Sequence, residues 1–344
     1  MNTRPLLALA ASAAFLTGCS TAPYVSGPRT ADDATVNVLP ASEVPWTALN
    51  PARGDKSPQA GTIWGDRKGK VPTGFLVKFV DGFSSPPHIH NVTYRGVVIH
   101  GLVHNDDPDA ANMWMPPGSY WTQPAGEVHI TSATGQTNVA FIEIAKGPYL
   151  VMPPAEAFDN GERPVNVDPS NFVWLDASNT PWISDEGPEL VHLWGTPANG
   201  ELNASMLKLP PGFTGYLQTN GAPLNAVVIQ GEPTHEVPGK ADAQALAPGS
   251  SFDSQGVTAH AFTNNSHEAA TLYVRIEGKY TVTGEIGPVT AAKTEVAEPA
   301  LTTTNQAAPA QNRVFLEGDL HESCPVCFVK PEAPTILSSM RDDE

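Results

Sequence analysis

Three histidines carry the clearest chemistry in this chain. His88 and His90 stand one residue apart, and His129 follows the turn Pro124-Ala125-Gly126. Imidazole is a common ligand of divalent transition metals, and a three-imidazole set suits iron, zinc or manganese. On a β-strand residues i and i+2 share a face, so His88 and His90 aim at one point. Tyr94 lies four residues after His90. The residues alone leave it three roles: phenolate ligand, hydroxyl donor to a bound ligand, or packing. Glu127, two residues before His129, is either a substitute carboxylate ligand or a turn residue facing water. His100 and His104 read as rim or surface residues. The competing account of the triad is three buried, hydrogen-bonded histidines in a barrel that has lost its metal. No Ser-His-Asp set, phosphate loop or basic aromatic surface stands out.

The elements that must position these side chains come as a repeat. Gly82 to Gly101 has a counterpart at Gly212 to Gly231, 130 residues further on. Ile63-Trp64-Gly65 matches Leu193-Trp194-Gly195, Lys78 matches Lys208, Gly118-Ser119 matches Gly249-Ser250, His129 matches His260, and Tyr149 matches Tyr280. A repeat this long is a whole domain rather than a solenoid unit. In the second copy Gln218, Asn220 and Leu224 fall at the ligand positions and only His260 remains. One imidazole does not hold a divalent metal tightly, so that cavity is expected to be vestigial or a polar pocket for an organic group. Short Val-, Ile- and Phe-rich runs at 74–80, 94–99, 138–144 and 271–276 are bounded by Gly, Pro, Asn and Asp, the pattern of strands joined by tight turns. Pro86-Pro87 suits the start of a strand and not its centre. Asn105 to Asp109 reads as a hairpin turn, since it lacks the Gly and terminal Glu of a calcium loop.

The spacing resembles the two motifs of the cupin superfamily. Gly82, His88, His90, Tyr94 and Gly101 fit the first motif; Gly118, Pro124, Gly126 and His129 fit the second. Two positions depart from it: Tyr94 stands where a Glu ligand belongs, and Ala133 where an Asn belongs. Both repeats are covered, so the chain resembles a bicupin, closest to a bacterial family of unknown function related to the cupin of zinc-binding anti-sigma factors. The resemblance implies an all-β fold of tandem cupin barrels (double-stranded β-helix, jelly-roll-like), with His88, His90 and His129 as ligands of one divalent metal, iron, zinc or manganese. Without the carboxylate the site would carry about +2 rather than +1 and leave more positions for water or a small-molecule ligand. Tyr94 is then the candidate catalytic residue. Two classes stay open: a metal-dependent oxygenase (a dioxygenase, for example) or isomerase, and a non-catalytic module that binds or senses a small ligand. A homodimer is compatible with the resemblance.

The rest of the chain bounds location and partners. Arg4 and the apolar stretch from Leu6 to Leu16, too short to span a bilayer, precede Leu16-Thr17-Gly18-Cys19, which resembles the lipobox of bacterial lipoproteins. This implies a signal peptide over 1–18, lipidation of Cys19 and a tether over 19–38. Ser20, in place of Asp, points to the outer membrane, with the protein facing the periplasm. The barrels are expected over 39–152 and 166–285, and a linker with a Cys-containing tail over 286–344. In the tail Cys324 and Cys327 suit a local disulfide in an oxidising envelope; metal capture with His321 or a redox role are the other options. A formal charge of −17 repels phosphate backbones, so nucleic acid is excluded as a partner and the membrane is reached through the lipid anchor only.

Overall fold

The computed structural model describes residues 30–287. The expected lipidation site Cys19, the pair Cys324 and Cys327, and His321 lie outside that range. Among the described residues no helix is long and apolar enough to cross a membrane.

The strands build two barrels that repeat each other. An eight-stranded sheet runs Val165–Val167, Tyr120–Gln123, Tyr94–Asp106, Ile130–Ile144, Thr73–Phe79, Gln59–Trp64 and Trp46–Ala48, with Phe83–Ser84 also on Ile130–Ile144. A nine-stranded sheet is centred on Phe213–Gln230, flanked by Ser251–Thr263 and Ala270–Glu277. All named strand pairs are antiparallel, and Ile89–His90 pairs separately with Val151–Met152. This is the double-stranded β-helix of the cupin fold.

Alternation along the strands sorts the apolar residues into three layers. Phe75, Val77, Val98, Ala140 and Ile142 turn into the first barrel. Their chain neighbours Leu76, Val97, Ile99, Val139 and Phe141 turn the other way, against Met206, Val227, Ile229 and Tyr273 of the second barrel. Leu207, Val228, Leu272 and Val274 then fill the second interior. A strand buried on both faces needs an unbroken apolar run. That is why Val97-Val98-Ile99 and Val227-Val228-Ile229 recur in both copies.

One ion pair crosses the shared layer. Glu143 and Arg275 hold equivalent places in the two barrels, opposite Gly74 and Ala204 respectively, and meet with Oε1 and Nε 3.6 Å apart. Tyr273 donates to Glu143 Oε2 at 2.9 Å, and Trp194 donates to the Tyr273 hydroxyl at 2.8 Å. Burial pushes the Glu143 carboxyl up, while Arg275 and Arg95 pull it down. A buried charge that loses its partner is strongly destabilising, so this pair penalises mispairing of the barrels.

Edge strands are exchanged. Thr35–Leu39 pairs with Ser251–Gln255 of the second barrel, and Val165–Val167 pairs with Tyr120–Thr122 of the first. Both carry the tripeptide Val-Asn-Val, at 36–38 and 165–167. The tether expected through residue 38 therefore gives way to a strand at Thr35. Val165 to Val167, at the end of the expected connection and the start of the second domain, instead covers an edge of the first barrel. The repeat also reaches further upstream than 63: Lys78 sits over the Trp46 ring at 4.1 Å and Lys208 over the Trp174 ring at 3.9 Å.

Candidate metal centre

The first barrel gathers His88, His90 and His129 at one end of its interior. His90 ends the short strand Ile89–His90; His88 and His129 form an isolated antiparallel bridge that ties the two motif segments together. One candidate ligand nitrogen from each histidine lies within 4.8 Å of the others, and among the described residues this is the one such group.

The hydrogen bonds decide which nitrogen faces inward. His88 Nδ1 lies 2.9 Å from Pro86 O, His90 Nδ1 2.9 Å from Leu150 O, and His129 Nδ1 3.1 Å from Glu127 O. A carbonyl oxygen only accepts, so each Nδ1 must carry the proton and each Nε2 keeps its lone pair. His88 and His90 then face each other with unprotonated Nε2 atoms 3.2 Å apart. Two lone pairs at that distance repel, and a cation between them removes the repulsion. The separation also matches two nitrogens bound to one metal at about 2.0–2.1 Å in tetrahedral geometry. Burial pushes the His129 pKa down to about 3, with nearby His88 adding to the effect. His90 is held well below its ordinary value by burial, then by His129 and His88. His88 is lowered too, by burial. All three are in the neutral, ligating form at neutral pH. The residues present fit a divalent metal.

Tyr94, the candidate catalytic residue, stands beside the triad with its hydroxyl engaged to a neighbouring side chain. It is buried, and its hydroxyl donates to Asn105 Oδ1 at 2.7 Å. Its single proton is committed there, so the 3.3 Å approach to His129 Nε2 is a contact and not a second donation. Burial raises the phenol well above its ordinary pKa, which excludes a resting phenolate. Asn105 also accepts from Thr131 Oγ1 at 2.7 Å and donates to Gln123 Oε1 at 2.9 Å. Gln123 Nε2 reaches Glu127 O at 3.4 Å, the carbonyl that also holds His129 Nδ1. Tyr94 is thus one end of a buried polar chain that returns to the histidine it touches.

The hydroxyl aimed at the triad belongs to Tyr149. Its ring stacks on His90 at 4.2 Å with 16° between planes, and its hydroxyl donates to His90 Nε2 at 3.0 Å. With a metal on that lone pair, the Tyr149 hydroxyl would keep its proton and be free to donate to a neighbouring acceptor. Asn105, Gln123 and Tyr149 escape a motif search. Only Tyr149 left a signal, as the tyrosine kept at 280 in the second copy.

The remaining candidates lie elsewhere. Glu127 is partly buried and lines a surface groove with Phe158, Asp159 and Arg163, so its carboxylate is not a ligand. His100 is exposed. His104, expected at the rim, is buried instead, with Nδ1 accepting from Met113 N at 3.3 Å. Its neighbours Val103 and Asn105 turn into the barrel, so His104 points the other way and is covered by the Met113–Trp114 segment. Ala133 is buried opposite Phe83 and Val103.

Above the triad a cavity of about 320 Å³ opens between Phe79, Phe83, Trp121, Ile142 and Tyr149. The family described as "Domain of unknown function (DUF4437)" matches residues 37–283, across both barrels. The chain belongs to this family. No curated protein matches the chain. Among solved structures, a candidate dioxygenase from Nostoc punctiforme is similar at 12% identity and a TM-score of 0.54, over 74% of this chain and 88% of that one. Ylba of E. coli, a DUF861 protein, gives 13% identity and 0.49 over 70% and 90%. The oxalate decarboxylase of Lactobacillus farciminis gives 12% and 0.48 over 73% and 89%. At such identity the first of these likenesses speaks to fold alone, and that fold is the cupin barrel.

In this DUF4437 protein the second barrel keeps the polar chain and loses the triad. His260 is buried between His235 and Ser254, at 3.0 Å from each. Register makes His235 the counterpart of Asn105, Ser254 that of Gln123 and Leu224 that of Tyr94. Gln218 and Asn220, aligned by sequence with His88 and His90, point away from the core. Leu217 and Thr219 are the buried residues there. A bulge between Gly221 and Leu224 restores the register, so the sequence alignment was one residue out before it. The second interior is filled by Leu217, Leu224, Phe252, Phe262 and Tyr280, which fits the vestigial alternative and not the polar pocket.

Proposed function

We propose that the first barrel is a mononuclear metal site acting on a small organic molecule, as an oxygenase or an isomerase. The observation that carries this reading is the locked tautomer: three backbone carbonyls hold three Nδ1–H groups, and three Nε2 lone pairs converge beneath an apolar cavity. Second-sphere bonds of this kind orient metal-ligating histidines in general. A divalent metal bound there supplies Lewis-acid polarisation or activation of water or dioxygen. The chain's own residues do the rest. Tyr149 holds a proton at its hydroxyl beside the open positions, Tyr94 and Asn105 steady His129, and the aromatic walls exclude water.

The donor set suits iron, zinc or manganese. Elemental analysis of purified protein, with electron paramagnetic resonance for iron and manganese, tests the site. A metal content near zero after reconstitution with each of the three would sink it. The second reading, a non-catalytic module that binds or senses a small ligand, is favoured by one observation: no Asp or Glu lines the cavity to serve as acid or base. Tight ligand binding without turnover in every metal form would select it.

We also propose that the protein is a lipoprotein of the bacterial envelope, anchored through Cys19 to the outer membrane and facing the periplasm. Support comes from Leu16-Thr17-Gly18-Cys19 at the end of an apolar run. Globomycin treatment should accumulate precursor. A soluble mature protein beginning at another residue would rule the anchor out.

A further inference from the structure

The cavity above the triad has unlike ends. His90 and Tyr94 are buried at its deep end, whereas Arg53 is exposed and stands at its mouth. The Arg53 guanidinium lies over the Phe83 ring, 5.3 Å from the centroid, a cation–π contact that holds it against the wall. None of the ion pairs among the described residues includes Arg53. Between mouth and triad the lining is mostly apolar, with Asn50, Ser85 and Thr131 as neutral polar groups, and it contains no carboxylate. A divalent metal on three neutral imidazoles adds about two positive charges at the deep end. Arg53 and a metal on the triad would both be positive, and the lining offers no carboxylate to pair with either. A negatively charged ligand would supply the missing counter-charge.

We infer that the cavity takes a small organic monoanion whose charged head pairs with Arg53 at the mouth and whose apolar body lies against Phe79, Phe83 and Tyr149. A lone-pair atom at its far end reaches the triad, where the Tyr149 hydroxyl donates to it. The far end rests on the proposed metal site; the charge preference rests on Arg53. Arginine presents a planar fork suited to a carboxylate, which makes a carboxylic acid the class of choice. A cavity of about 320 Å³ is at the small end of ligand sites and limits the body to a single ring or a short chain.

The test titrates the metal-loaded full chain with 3-(4-hydroxyphenyl)propanoate and its isosteric amide by calorimetry, with metal content measured on the same samples. The propanoate should bind about tenfold more tightly than the amide. Arg53→Gln should bring the two within about twofold while leaving the metal content unchanged, and Arg53→Lys should retain part of the preference. Equal binding of both probes, binding of neither, or a preference that survives Arg53→Gln overturns the inference. The metal measurement separates the two proposals. A chain that takes up no metal yet keeps an Arg53-dependent preference ends the metal reading and leaves the anion assignment standing. A loaded chain with no preference does the reverse.

Discussion

His129 and His260 occupy the same place in two copies of one barrel, and both are buried. Around His129 the neighbouring imidazoles turn their lone pairs inward and a cavity opens above them. Around His260 the space is closed by Phe252 and Phe262, and His235 supplies a neutral hydrogen-bond partner. The comparison separates two requirements that coincide in the first barrel. A buried histidine needs only satisfied nitrogens; a ligating one needs its outer nitrogen held by an acceptor and its inner nitrogen unprotonated and turned towards the other ligands.

The largest effect expected is from dividing the pair. Residues 39–152 expressed alone lack the exchanged strand Val165–Val167 and expose the layer containing Leu76, Val97 and Phe141. They should aggregate or fail to fold. Size-exclusion chromatography showing a soluble, metal-loaded monomer would break the idea that each barrel completes the other.

Next, His88→Ala or His129→Ala should take the metal from about one per chain to near zero, since two imidazoles make a weak site. His260→Ala should leave the metal in place. Equal loss from His260→Ala, read by elemental analysis, would mean that the barrels have been assigned the wrong way round.

Glu143→Ala should cost about 3–5 kcal/mol in urea unfolding, because Arg275 is left buried without its partner. The double variant Glu143→Gln with Arg275→Met should recover most of that loss. A cost within experimental error for the single variant would show that the crossing ion pair does not hold the barrels in register.

The fourth expectation concerns acid. Burial lowers His235 to about 4 from an ordinary 6.5. The unfolded chain takes up that proton first, so the contribution is complete above pH 6.5 and is lost as pH falls towards 4, about 3 kcal/mol in all. His235→Asn, which copies the first barrel's Asn105, should flatten the stability profile across that window. An unchanged profile would show that His235 opens locally before global unfolding.

The smallest effect should come from Tyr94→Phe. It removes a donor to Asn105 and should cost about 1 kcal/mol of stability while keeping the metal. Tyr149→Phe should be nearly neutral for stability but should weaken fluoride binding to the cobalt-substituted site, followed in the visible spectrum. Stronger weakening in Tyr94→Phe than in Tyr149→Phe would return the donor role to Tyr94.

Much of this was legible in the sequence because strand periodicity and the His-x-His spacing are local. The apolar runs at 97–99 and 227–229, the turn before His129 and the 130-residue repeat each lie within a short window. What was hidden depends on register or distance. Gln218 and Asn220 were placed inward because the bulge at Gly221 has no clear mark in the sequence. Tyr149 is 59 residues from the imidazole it stacks on. Asn105 looked like part of a turn, although its amide joins Tyr94 to Gln123. The exchanged strands were missed because three residues of Val-Asn-Val, at 36–38 and 165–167, carry too little pattern to assign a partner.

Those exchanged strands bear on the order in which the protein is made. Asn37 donates to Asp253, 216 residues later in the chain. A polypeptide emerging amino end first has to leave Thr35–Leu39 waiting until Ser251–Gln255 has been synthesised, and the first barrel keeps an open flank until Val165–Val167 arrives. Long-range pairing of this kind is slow to form, and an uncovered strand invites foreign partners. A chain interrupted before Val165 therefore displays a raw edge on the first barrel, and one interrupted before Ser251 leaves Thr35–Leu39 without its partner. Passage of Gln255 is the point at which both exchanges can close.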